Sequence, residues 1–117
     1  MQSDCNGELN KFIKSLGFCD FSQELIDIAF THSSYTKEND LPQNKCYERL
    51  EFLGDAVLKM ATTEYLYKNY PELPEGELTK IRGVIVSDEI LHQVAQKIEI
   101  EDYIKVSKAE KKQMVRN

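Results

Sequence analysis

The chain has 117 residues, of which 41% are hydrophobic and 30% are charged, and its formal net charge is −5. This length fits one domain, and the mixture of apolar and charged residues is that of a globular helical protein rather than a disordered or fibrous one. There is no apolar run of about 18 residues and no signal-peptide pattern, so we expect no membrane association and a cytoplasmic location. The negative charge also excludes nucleic-acid binding by bulk electrostatics, so any contact with RNA must be local.

The N-terminal part of the sequence predicts two helices followed by a loop. Apolar residues recur at helical spacing over residues 7–16, and Gly17 follows as a helix-ending residue. Ser22 is a suitable N-cap for a second helix that ends near residue 31. Residues 33–45 are polar and without periodicity, which predicts a surface loop.

The rest of the chain predicts further helices with short connections. The longest covers residues 47–70 and stops before a proline. Glu75 opens a fourth helix, Ser87 caps a fifth, and a short sixth element covers residues 103–106. The last nine residues contain few large apolar side chains, which predicts a polar loop. No pair of strands is convincing, so the predicted fold class is all-α.

The cysteines are three in number and show no paired spacing: Cys5, Cys19 and Cys46. We therefore expect free thiols rather than disulfides or a zinc site. Cys19 is a candidate core residue.

The longest predicted helix carries a stripe of acids near its start. Glu48, Glu51 and Asp55 are spaced i, i+3 and i+7, which places them within roughly 60° of one another on one helical face. Apolar residues flank this acid stripe and occupy the opposite face, so we expect most of the helix to be buried. Gly54 costs about 1 kcal/mol relative to alanine in a helix interior and predicts that another backbone approaches closely there.

Two interpretations of the acid stripe follow from the spacing. Acidic residues at helical spacing are most often a solvated face. Clustered carboxylates among apolar neighbours instead indicate a site for a hard divalent cation with oxygen ligands, Mg²⁺ or Mn²⁺. Lys59, one turn beyond Asp55, can neutralise one of the charges.

The signature of the ribonuclease III family of double-stranded RNA endonucleases closely resembles the run ERLEFLGDAVL at residues 48–58. The flanking runs FTHSSY at residues 30–35 and PEGELTKIR at residues 74–82 also resemble that family. The resemblance extends over roughly residues 8–117. It implies an all-α, ribonuclease III endonuclease-domain-like helical bundle that pairs as a symmetric homodimer, with each protomer cutting one strand of double-stranded RNA.

The resemblance also implies roles for individual residues. Glu51 and Asp55 match the family's catalytic acids, which bind Mg²⁺, and Mn²⁺ is expected to substitute. Glu48 and Glu75 match two supporting acids of the catalytic set. A cation held by carboxylates suits phosphodiester hydrolysis, which needs a deprotonated water and stabilisation of negative charge. Because the signature helix lies at the family's dimer interface, Phe52 and its neighbour Leu53 are candidate interface residues, with Phe52 as the anchor.

The sequence departs from the family pattern in two places. Tyr47 stands where the family usually has Asn. The family's second Asp/Glu pair belongs to a later helix, beyond the point where this sequence stops. We therefore expect residues 1–117 to correspond to the N-terminal two thirds of the catalytic domain, without the C-terminal acidic helix and without the double-stranded RNA-binding domain. With Glu51 and Asp55 as its carboxylate ligands, a cation is expected to be weakly held, and this fragment alone is expected to lack a complete hydrolytic site.

Two other polar residues invite a catalytic role, but we predict structural ones. His32 follows a helix end beside two serines, which favours orienting hydrogen bonds over general-base catalysis. Arg82 could contact phosphate, but we favour a salt bridge with a nearby acid.

Two alternatives to a nuclease stay open at this point. One is a non-catalytic member of the same fold that acts as an RNA-binding or dimerisation scaffold. The other is an unrelated helical bundle with an accidental acidic face. The intact acids on the signature helix favour the enzyme, because a scaffold has no need for a repulsive stripe.

Overall fold

The structure, a computed structural model, describes the backbone of residues 2–116 and the side chains of residues 7–113. Within these residues the fold is all-α, as predicted. The helices are α1 (Gln2–Ser15), α2 (Gln23–Ala29), α3 (Ser33–Glu38), α4 (Glu48–Asn69), α5 (Glu75–Ile85), α6 (Asp88–Ile98) and α7 (Lys108–Arg116). Short 3-10 turns cover Gln43–Lys45 and Ile100–Tyr103. No helix in this part of the chain has the length and apolar character needed to cross a membrane.

The chain divides into two compact units. The first unit contains residues 1–47 and 103–117, and the second contains residues 48–102. The second unit is therefore one continuous stretch, whereas the first is assembled from both ends of the sequence.

The core of the first unit forms around α1. Leu9, Phe12 and Ile13 are buried, as their i, i+3, i+4 spacing predicts. The Phe12 ring stacks on Tyr103 with 4.3 Å between centroids and meets Phe30 edge to face at 6.2 Å. Tyr103 therefore joins the C-terminal part of the unit to its N-terminal part.

A short backbone bridge makes a second connection within the first unit. Thr31 and Lys105 form an isolated parallel bridge. The His32 N–H donates to the Lys105 carbonyl at 2.9 Å, and the Lys105 N–H donates to the Phe30 carbonyl at 2.8 Å. Nearby, the Ser107 N–H donates to Ser34 Oγ at 2.9 Å. These bonds hold the segment after α2 against the segment before α7.

In the second unit, α4 packs against α5, and α5 against α6. Ser87 caps α6 as predicted, since its hydroxyl accepts from the Ile90 N–H. Ser22 caps α2 of the first unit in the same way through the Leu25 N–H. Residue type at these positions was sufficient to locate both helix starts.

The prediction of a surface loop at residues 33–45 is wrong. They contain α3 and a 3-10 turn, and Thr36, which is 1% exposed, is fully buried. Its hydroxyl donates to the Ser33 carbonyl at 2.8 Å, so the buried polar atom keeps a partner. A polar composition therefore concealed a packed helix.

Two further expectations about the first unit are wrong. The predicted polar loop at the last nine residues is replaced by α7 (Lys108–Arg116), whose start is capped by Ser107 Oγ accepting from the Glu110 N–H at 3.1 Å. Cys19 is exposed rather than in the core, and Cys46 is buried instead. Both are free thiols, as predicted; Cys5 lies outside the described side chains.

Candidate acid site on the signature helix

The structure places the acid stripe in the first two turns of α4. Glu48 is the first residue of this helix, and Glu51 and Asp55 follow at the predicted spacing. All three side chains are exposed. Side chains one turn apart on a helix have Cβ atoms about 5–6 Å apart, so Glu51 and Asp55 form a pair of neighbouring carboxylates.

The predicted burial of this helix is wrong for the single chain. Phe52 is 85% exposed and Leu53 is 59% exposed, and Val57 and Met60 are exposed as well. Leu66, at 3%, is the one buried residue among those of α4. The apolar pattern predicts a core helix, but α4 presents most of its apolar face to solvent.

The prediction that another backbone approaches closely at Gly54 is also wrong. A Cβ built at Gly54 would meet nothing within 4 Å, so no other backbone in the described part of the chain approaches the helix there. Lys59 does not neutralise Asp55 through an ion pair: the ion pairs among residues 7–113 include Glu64–Lys68 on α4 but none at Lys59. The Glu51–Asp55 pair therefore lies in water, where screening keeps the mutual repulsion small.

Glu75 lies on the neighbouring helix of the second unit. It is the first residue of α5, directly after Pro74, and it is exposed. An acid in the first turn suits the positive end of the helix dipole, so this position has a local structural explanation as well.

The described residues contain no group of three or more His, Cys, Asp or Glu side chains arranged to share a metal ion. The structure therefore does not gather the four predicted acids into one multidentate cluster. Two adjacent carboxylates still fit Mg²⁺, because this ion keeps several waters and is commonly bound through one or two carboxylates plus substrate phosphates. Glu51 and Asp55 are the residues whose position and donor type meet that requirement.

Arg82 has a structural partner, but not the acid that we expected. Its Nη1 donates to Thr63 Oγ1 at 3.0 Å and so joins α5 to α4. No ion pair among residues 7–113 includes Arg82, so the predicted salt bridge is wrong. The prediction for His32 is confirmed: its Nδ1 accepts from the Ser34 N–H at 3.1 Å and lies 2.8 Å from Ser34 Oγ.

The sequence did not predict the contacts of Tyr47, the residue directly before the acid stripe. Tyr47, directly before Glu48, donates its backbone N–H to the Thr31 carbonyl at 3.0 Å. Its ring meets the His32 ring edge to face, with 5.8 Å between centroids and 65° between planes. The substitution of the family's usual Asn by Tyr47 was the available signal, but nothing in the sequence indicated His32 as its partner.

The described residues form an all-α domain with a pair of exposed acids on its longest helix. Comparison with known proteins identifies the family to which this domain belongs. A model of the family described as Ribonuclease-III-like matches residues 22–117. The chain belongs to this family.

Individual relatives agree with the family assignment. The chain is 44% identical over 111 residues to Ribonuclease 3 of Streptococcus pneumoniae strain CGSP14, and equally to that of strain JJA. These alignments cover 94% of this chain and 48% of each relative, so the chain spans about half the length of the curated relatives that it matches.

Solved structures agree with the fold. The chain is similar to a solved structure of the nuclease domain of ribonuclease III from Campylobacter jejuni. That structure is described as having structural flexibility in a region involved in dimer formation. The TM-score is 0.76 at 33% identity, over 90% of this chain and 69% of the other. A second structure of that nuclease domain has a TM-score of 0.74 at 34% identity, over 89% and 67% of the two chains.

Proposed function

We propose that this chain acts as the nuclease domain of a ribonuclease III-type endoribonuclease, which cleaves double-stranded RNA by Mg²⁺-dependent hydrolysis of phosphodiester bonds. The observation that carries the proposal is the exposed Glu51–Asp55 pair on α4, in a chain that belongs to the Ribonuclease-III-like family. The pair lies on an open helix surface rather than in an enclosed pocket, and such a position is accessible to a wide, rod-shaped duplex.

The roles of the acids follow from their donor type and position. Glu51 and Asp55 would hold the cation, with water and phosphate oxygens as the remaining ligands. When bound, Mg²⁺ supplies a water of lowered pKa and stabilises the charge that develops on the phosphate. Glu48, one turn before Glu51, and Glu75, at the start of α5, are the supporting acids of this proposal.

We propose that the active species is a homodimer formed through α4. Phe52 and Leu53 are large apolar residues that the single chain leaves exposed next to the acids. A contiguous exposed apolar surface on a folded chain is typical of an interface. The structure from Campylobacter jejuni has a region involved in dimer formation, which supports a dimer of this chain but does not indicate which helix forms it.

The cytoplasm is the proposed location. The free thiols Cys19 and Cys46 support it, because unpaired cysteines are usual in a reducing compartment.

The decisive experiment is cleavage of a long double-stranded RNA by this chain in Mg²⁺, with single-stranded RNA as the control substrate. The proposed activity predicts short duplex products that are lost with Glu51→Ala, whereas no cleavage by the parent chain would show that the acids present do not suffice for hydrolysis. The matched control is Glu64→Ala, because Glu64 is an acid on the same helix but outside the acid stripe and paired with Lys68. Equal loss of cleavage in both variants would contradict the assigned role of Glu51.

The alternative is a non-catalytic scaffold of the same family that binds RNA or dimerises. The observation that favours it is the lack of a three-ligand group among the described residues. The scaffold predicts RNA retention without cleavage, and the same retention in Glu51→Ala. The cleavage experiment with a gel-shift measurement on the same samples therefore separates the two functions.

A further inference from the structure

Two side chains of α3 hold the start of α7. The Ser107 N–H donates to Ser34 Oγ at 2.9 Å, and the Lys108 N–H donates to Glu38 Oε2 at 2.9 Å. Ser34 and Glu38 are spaced i, i+4, so their side chains leave α3 on the same face. Neighbouring acceptors on one helix therefore bind consecutive donors at the start of another, and all four residues belong to the first unit.

These donors lie where a helix cannot satisfy its own backbone. The first four N–H groups of an α-helix have no acceptor within the helix. In α7 the Glu110 N–H binds Ser107 Oγ, as is usual for a serine N-cap, but the N–H of the first residue, Lys108, binds Glu38 of a different helix. The carboxylate of Glu38 also places a negative charge at the positive end of the α7 dipole.

The sequence of α7 opposes helix formation without this support. Its nine residues are fewer than the roughly 12–15 that an isolated helix needs in water. Lys108, Lys111 and Lys112 are spaced i, i+3 and i+4, so their positive charges lie on one face. No ion pair among residues 7–113 includes these lysines. The first turn contains two of them and one acid, Glu110, so its net positive charge is offset by Glu38 from α3.

The segment directly before α7 is held by other contacts. The Lys105 N–H donates to the Phe30 carbonyl at 2.8 Å, and the His32 N–H donates to the Lys105 carbonyl at 2.9 Å. Ser107 is buried, whereas the side chains of residues 111–113 are exposed. The chain therefore changes at Ser107 from a buried and paired segment to an exposed helix.

We propose that α7 is a conditional helix whose order is controlled by the Glu38 carboxylate. With the carboxylate bound to the Lys108 N–H, the lysines of α7 are presented on one ordered face. Without it, α7 unwinds as far as Ser107, the backbone bridge at Lys105 is kept, and the same lysines become part of a flexible segment. The inference does not depend on the proposed function, because it involves neither RNA nor the acids of α4.

Amide hydrogen exchange tests the order of α7 directly. The Lys111 N–H donates to the Ser107 carbonyl at 3.0 Å, and in an α-helix the Lys112 N–H donates to the Lys108 carbonyl, so both amides report opening of the first turn. We expect Glu38→Ala to reduce the protection of these two amides about tenfold, the effect of losing one hydrogen bond to a charged group. Glu38→Gln keeps a side-chain oxygen as acceptor but removes the charge, and it should reduce protection about threefold.

Two controls separate the order of α7 from the stability of the whole unit. The amides of His32 and Lys105, which form the backbone bridge, should keep their protection in Glu38→Ala. Glu8→Ala is the matched variant and should leave α7 unchanged, since Glu8 is an exposed acid of the same unit that pairs with Lys11 on its own helix. Unchanged protection of α7 in Glu38→Ala would overturn the proposal. Equal loss at His32 and Lys105 would also overturn it, because the whole unit would then have opened.

A rescue variant tests the electrostatic cause. Lys111→Glu gives the first turn of α7 its own negative charge in place of the one that Glu38→Ala removes. In the Glu38→Ala background we expect Lys111→Glu to restore most of the lost protection at the Lys112 amide. Lys14→Glu, at an exposed lysine of α1, changes the net charge equally and should restore none. No recovery with Lys111→Glu, or equal recovery with Lys14→Glu, would overturn control by a charge at the start of α7.

Discussion

Arg82 and Thr63 join α5 to α4 through one hydrogen bond in which the guanidinium Nη1 donates to the threonine hydroxyl oxygen at 3.0 Å. The same hydroxyl donates to the Lys59 carbonyl at 2.7 Å, so its proton and a lone pair are both used. Arg82 and Thr63 are half-buried. Loss of the hydroxyl would therefore leave a partly desolvated cation without this acceptor.

We predict that Thr63→Val lowers the free energy of unfolding by about 1–2 kcal/mol, the usual effect of removing one partner of a charge-assisted bond. Valine has nearly the same shape as threonine, so packing is kept. Thr63→Ser retains the hydroxyl and should lose less. Urea denaturation of the three proteins measures the difference, and equal midpoints for valine and the parent would show that the bond contributes nothing.

The Glu51–Asp55 pair predicts that Mg²⁺ stabilises the folded chain. Mg²⁺ that binds the folded chain through Glu51 and Asp55 should raise the melting temperature as its concentration passes the dissociation constant. At a hundredfold excess over that constant the gain is about 2.7 kcal/mol. Glu51→Ala should abolish the gain, whereas Glu64→Ala should keep it. A flat melting temperature in the parent chain would contradict the metal pair.

The exposed Phe52 ring on α4 predicts that truncation of this side chain weakens the dimer. Phe52→Ala should shift the chain from dimer toward monomer in sedimentation velocity, because truncation of a central aromatic anchor commonly costs about 2 kcal/mol or more of association free energy. Phe18→Ala is the matched control, since Phe18 is an exposed phenylalanine of the first unit. The same mass distribution in both variants would exclude Phe52 as an interface anchor.

The end of α6 predicts a stabilising substitution. Glu99 follows the helix with φ +59°, a left-handed conformation, and its N–H bonds to the Gln96 carbonyl at 3.2 Å. Glycine adopts this conformation without steric cost, and its introduction removes a negative charge from the negative end of the helix dipole. We expect Glu99→Gly to raise the free energy of unfolding by about 1 kcal/mol, since the left-handed conformation costs a non-glycine residue about 1–2 kcal/mol.

Glu99→Gln separates the two causes of that gain. It removes the charge but keeps the Cβ, so we expect an increase of only a few tenths of a kcal/mol. Thermal denaturation in low salt measures both variants. A gain from glutamine as large as that from glycine would assign the whole effect to charge.

Sequence reasoning succeeded where local chemistry decides the outcome. Ser22 and Ser87 located two helix starts because a hydroxyl can accept from the N–H three residues on, and this requires no tertiary context. The acid helix was placed within one residue at each end, since a polar loop precedes it and Pro71 limits it. The resemblance to the ribonuclease III family was carried by this same segment.

Sequence reasoning failed where the outcome depends on distant parts of the chain. Thr36 is buried although its neighbours are polar, because a hydroxyl that bonds to the Ser33 carbonyl can enter a core. The exposure of Phe52 and Leu53 was missed for a related reason. An apolar pattern shows which side of a helix gains from being covered, but it does not show which surface covers it. No periodicity in the sequence relates Tyr47 to His32, so their ring contact could not be predicted from it.

The assembly of the first unit from both chain ends has a kinetic consequence. The hydrogen bond from the Ser107 N–H to Ser34 Oγ joins residues 73 positions apart, whereas the packing of α4 on α5 involves neighbouring helices. Closing a long loop costs entropy before its contacts form, and such contacts slow folding. We expect α4, α5 and α6 to acquire their contacts early, and the pairing of residues 30–34 with residues 103–107 to complete folding last.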